Sequence, residues 1–112
     1  MLAMIGALLT ITLGLLGALA PRRVSKVVGI EPIGGLGVSE VRATYGGVFI
    51  AMGGTCLMVN SSQVYIVVAA AWLGAAAMRI PSLIVDRGSY PKAFFGGVIE
   101  STIALLLATG AA

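Results

Sequence analysis

Apolar positions gather into four long runs, residues 2–20, 38–59, 64–85 and 91–111, separated by short polar or glycine-rich breaks. An apolar helix of about 20 residues covers the roughly 30 Å hydrocarbon core of a bilayer. Each run therefore predicts one membrane-spanning helix. The first holds no charged residue and the third contains Pro81. Between the second and third, Asn60-Ser61-Ser62-Gln63 has the length of a tight helix–helix connection. Gly88 suits the stop of the third helix, and Pro91 suits the first turn of the fourth. Residues 21–37 differ: Pro21, Pro32, Gly29, Gly34, Gly35 and Gly37 interrupt apolar positions too few to span. That segment is expected to be a loop or short element at the membrane interface. The pattern predicts one all-α domain, a four-helix bundle in a membrane.

Ala18-Leu19-Ala20 resembles a signal-peptide cleavage triplet. No positive residue precedes the apolar run, however, the run is long for such a segment, and Pro21 follows the cut. A retained helix is the expectation. Basic residues then orient the bundle. Arg22, Arg23 and Lys26 follow the first run, and Arg87 and Lys92 lie between the third and fourth; the opposite side carries no Lys or Arg. The positive-inside rule puts both basic loops in the cytoplasm and both termini outside.

Composition narrows the chemistry. Of 112 residues 59% are hydrophobic and 10% charged, against about 25% charged in a soluble domain. Histidine is absent and Cys56 is the only cysteine. No zinc set, haem-attachment motif or internal disulfide follows from that inventory, and no cofactor is implied. Cys56 reads as a small packing residue. The net charge of +3 arises from loops flanking membrane segments, which points to topology and not to nucleic acid.

Without a hydrophobic drive between helices in lipid, small residues must allow close backbone approach. The first run offers Gly6, Thr10, Gly14 and Gly17; the second, Gly46, Gly47, Gly53 and Gly54, pairs seven apart and expected on one face; the third, Ala69 to Ala71 and Gly74 to Ala77; the fourth, Gly96, Gly97, Ser101, Ala104 and Ala108. These faces serve internal packing, or one of them meets another membrane protein.

Four charges sit in or at the lip of the apolar runs: Glu40, Arg42, Arg79 and Glu100. An ion at a helix centre costs roughly 2.5–3.5 kcal/mol on insertion scales. Arg79 can snorkel toward the surface on its long stem. Glu100, nine residues past Pro91 and so roughly 13 Å deep, cannot do so well. It must be protonated, paired with a cation or beside water. Arg79 is its natural partner, because the two residues are almost equidistant from the turn near Ser89 and Tyr90. Glu40 and Arg42 are expected to complete a neutral cluster, with Tyr45 placed to donate a hydrogen bond into it. Such a cluster either fixes helix register or forms a ligand or proton site. Pro81 frees the carbonyl of Ala77 close by. Trp72, deep in the third run, needs an acceptor for its indole N–H, whereas Tyr65 and Tyr90 read as interfacial anchors.

The run Ser39-Glu40-Val41-Arg42-Ala43-Thr44-Tyr45-Gly46-Gly47 resembles the hallmark of a bacterial membrane family, the domain-of-unknown-function family numbered 4345. Its members are similar in length and in a Glu-x-Arg-Ala-x-Tyr-Gly-Gly motif opening the second span, an arginine matching Arg79 and a glutamate matching Glu100. The resemblance implies a four-span fold in a bacterial inner membrane and brings no activity. Three function classes follow. The first is a small accessory subunit packed against other membrane protein subunits. The second is a carrier or binder for a proton or an amphipathic molecule such as a quinone or lipid. The third is an enzyme, and it is the weakest, because no nucleophile–base pair or metal set is present. Lipids and membrane proteins are the expected partners.

Overall fold

The computed structural model describes residues 1–86 and 90–111, and they are all-helical with no strand. Helix α1 is Leu2–Leu19 and α2 is Pro21–Val28. Helix α3 covers residues 34–59 in three segments: α-helical Gly34–Arg42, π-helical Ala43–Val48 and α-helical Phe49–Val59. Helix α4 is Ser62–Val85, and α5, Tyr90–Ala108, ends in a 3-10 turn at Thr109–Ala111. Three helices, Leu2–Leu19, Ser62–Val85 and Pro91–Ala111, are long and apolar enough to cross a membrane. Arg87 and Gly88, expected in the basic loop and at the helix stop, lie outside the described residues, as does the side chain of Tyr90.

The segment expected as a loop or short element over 21–37 is largely helical. Helix α2 starts with Pro21 in its first turn, where a missing N–H costs nothing. It stops at Gly29, whose φ of 80° is left-handed. There Gly29 N–H donates to Lys26 carbonyl (3.3 Å) and Ile30 N–H to Ser25 carbonyl (2.8 Å), the paired closure of a Schellman motif. Pro21 opens this helix, and Gly29, Pro32 and the later glycines lie after it. Helix α3 then begins at Gly34, earlier than the expected 38.

Helices α1 and α3 run antiparallel with their backbones nearly touching. A Cβ on Gly46 would lie 2.8 Å from the Ala18 nitrogen, and one on Gly53 would lie 2.6 Å from the Ala7 carbonyl oxygen. Only glycine admits that approach. Gly47 and Gly54 meet nothing within 4 Å. Neighbouring residues on a helix point about 100° apart, so each glycine pair is split between an inward and an outward member and does not share one face.

Helix α1 lies between α3 and α5, and α4 packs along α5. The core joins Ala3 and Ala7 of α1, Cys56 of α3, Tyr65, Val68 and Trp72 of α4 and Ile103 and Leu107 of α5. Trp72 Nε1–H donates to Thr10 Oγ1 (3.1 Å), and the Thr10 hydroxyl donates to the Gly6 carbonyl (2.9 Å). Phe49 of α3 lies against the Trp72 ring at 4.9 Å between centroids. At the α3–α4 turn, Asn60 adopts φ 51°, and Ser61 Oγ accepts from Val64 N–H at 3.4 Å. Tyr65 is buried against the neighbouring helices near this turn and donates its hydroxyl to Asn60 Oδ1 at 3.0 Å.

Candidate functional site

Helix α4 carries Arg79 seven residues before Asp86, and α5 carries Glu100. The helices leave their connecting segment antiparallel, so the two residues stand level. Arg79 Nε–H donates to Glu100 Oε1 and Nη2–H to Oε2, each at 3.0 Å. This is the two-pronged geometry in which a guanidinium matches a carboxylate best. The glutamate side chain is 12% exposed and the arginine 38%. Both carboxylate oxygens are engaged, while the remaining guanidinium N–H groups have no partner among the described residues.

Gly96 and Gly97 make room for the pair. A Cβ on Gly96 would stand 3.0 Å from Arg79 Nη2 and 3.2 Å from Cζ, and one on Gly97 would stand 3.5 Å from Arg79 Cγ. The arginine therefore lies along bare backbone of α5. These glycines, expected at a helix–helix contact, lie at the α4–α5 contact and there seat the Arg79 side chain. The available signal was that Gly96 and Gly97 precede Glu100 by four and three residues, on the same face of α5.

The expected four-charge cluster does not form. Glu40 and Arg42 are exposed and make no ion pair among the described residues. Val41, between them, is the buried residue. Its two neighbours each point about 100° away from it, so Val41 turned inward leaves both charges turned outward. Tyr45, in the π-helical segment, is half-buried and packs edge-on to Phe49, with centroids 5.9 Å apart and planes at 71°. Its hydroxyl makes no hydrogen bond to Arg79 or Glu100. Pro81 sits inside α4, which continues to Val85. Beside it, Met78, Ser82, Val85 and Asp86 line an open cleft of about 260 Å³, and Ser82 Oγ–H donates to Asp86 Oδ2 at 2.7 Å.

A larger, apolar cleft of about 400 Å³ lies between α3 and α4, near their shared turn, lined by Met52, Thr55, Val64 and Val67 among others. It is remote from the charge pair. Among the described residues no three His, Cys, Asp or Glu side chains cluster as metal ligands. Among the described residues the chemistry available is neutralisation of one carboxylate by one guanidinium, with hydrogen-bond donors left over on the arginine. No protein-family model, curated protein or solved structure matches this chain.

Proposed function

We propose that this chain is a four-span membrane protein, with both termini outside, that serves as a small structural subunit of a larger complex in a bacterial inner membrane. The composite helix α3 is the second span, beside the three helices that are long and apolar enough to cross. The Arg79–Glu100 fork holds α4 and α5 in register, a role in which buried charge pairs are best attested. The resemblance in the Glu40–Gly47 motif favours the same architecture.

One observation carries the subunit role: small-residue faces remain uncovered. Gly47, Gly54 and Gly74 have nothing within 4 Å, and Ala70, Ala71 and Ala77 beside Gly74 on α4 are exposed. Inside lipid such faces favour close approach of another helix, as Gly46 and Gly53 already permit for α1. Affinity capture of the tagged chain from native membranes tests this. Co-purification of a defined larger membrane protein supports it; a lone 11 kDa species or simple homo-oligomer contradicts it.

The N–H groups of Arg79 that have no partner among the described residues favour a second reading, a binder for the polar head of a small amphipathic molecule such as a quinone or lipid. Unchanged binding of quinone and lipid after Arg79→Met would remove it.

A further inference from the structure

We propose that α2 is a docking surface for anionic phospholipid headgroups, an inference that rests on the membrane-spanning reading. Helix α2 turns Pro21 and Ser25 into the protein, where both are buried. Arg22, Arg23 and Lys26 project from the other side and are exposed. None of the three has a side-chain hydrogen bond or ion pair among the described residues. Residues 21–37 hold these three cations against one carboxylate, Glu31, so the segment keeps a positive excess of two.

The apolar residues at the same end complete the match. Val27 is 71% exposed, Ile33 87% and Leu36 75%. They follow the basic residues in sequence and find no cover among the described residues. A short helix with a basic face and uncovered apolar neighbours is the composition of an interfacial anchor. Apolar side chains enter the acyl boundary while cations meet lipid phosphates. The helix is held rigid for that task at both ends, by Pro21 at its start and by the Gly29 closure at its finish. Ser25 adds a local brace by donating to the Arg22 carbonyl at 2.8 Å. The cations are thus displayed from a fixed platform, which lowers the ordering cost of holding a headgroup. Charge complementarity selects the occupant: phosphatidylglycerol or cardiolipin, with net negative headgroups, over zwitterionic phosphatidylcholine.

The test reconstitutes the full-length chain into vesicles of phosphatidylcholine mixed with phosphatidylglycerol and counts the lipids that stay bound by native mass spectrometry after detergent transfer. The wild-type chain should retain phosphatidylglycerol in preference to phosphatidylcholine. Arg22→Gln/Arg23→Gln/Lys26→Gln should lower that preference by about tenfold or more, given the usual contribution of each juxtamembrane cation. Arg22→Lys/Arg23→Lys should keep it, and added salt should weaken it in the wild type. Equal retention of both lipids by the wild type, or an undiminished preference in the triple variant, overturns the proposal. Alkaline carbonate extraction separates the two layers of inference. A chain that resists extraction but shows no lipid preference overturns the headgroup site alone. A chain extracted from vesicles overturns the spanning reading and this proposal with it.

Discussion

The Arg79 guanidinium lies on the bare backbone of Gly96, where even one added carbon would stand 3.0 Å from Nη2. The glycine is therefore part of the ion pair's geometry. Gly96→Ala should be mild, because the atom it meets is the mobile end of a long side chain. Gly96→Leu should push the guanidinium off Glu100 and approach the cost of losing the pair. The measure is the rate at which Cys56, fully buried in the folded chain, becomes alkylated in rising denaturant. Equal stability of the leucine variant and the wild type would contradict this seat.

Gly53 and Gly54 should behave oppositely. Gly53→Val forces a side chain where a Cβ already stands 2.6 Å from the Ala7 carbonyl oxygen. The α1–α3 contact should open, at about 1–3 kcal/mol or more of stability, as for overpacked cores. Gly54→Ala meets open space and should leave the isolated chain as stable as before, or gain up to about 1 kcal/mol. If the uncovered face holds a partner, that same alanine should reduce co-purification from native membranes. A Gly54→Ala chain that captures everything the wild type captures would count against that face.

Thr10 satisfies a buried donor 62 residues away, the indole N–H of Trp72. Thr10→Val keeps the shape but strands that donor, and should cost about 1–3 kcal/mol. Thr10→Ser retains the oxygen and should cost less. The same alkylation assay orders the three proteins, and a valine variant matching the serine one would show the hydrogen bond to be unimportant.

Much of this layout is legible from the residues because three of its helices are long and apolar enough to cross a membrane. The level placement of Arg79 and Glu100 follows from their distances to one turn, which requires only that α4 and α5 be antiparallel. The separation of Glu40 from Arg79 is less visible. It depends on the rotation of α3, which turns Val41 inward. The π-helical turns at Ala43–Val48 have no composition of their own; they arise where Gly46 packs on Ala18. Helix α2 was obscured by Pro21 at its start and by the glycines and Pro32 that follow it. The Trp72–Thr10 bond joins residues on different helices with no local signal.

The central physical claim is that Arg79 and Glu100 neutralise each other between α4 and α5, and a double-mutant cycle on Arg79→Met and Glu100→Leu tests it most directly. Removing one partner of a fully buried pair costs about 3–5 kcal/mol. With the arginine side chain 38% exposed, solvent screening lowers the expectation to about 1–3 kcal/mol for each single variant. The double variant should recover most of the loss, because no unpaired charge remains. Single losses that simply add in the double variant would contradict the account.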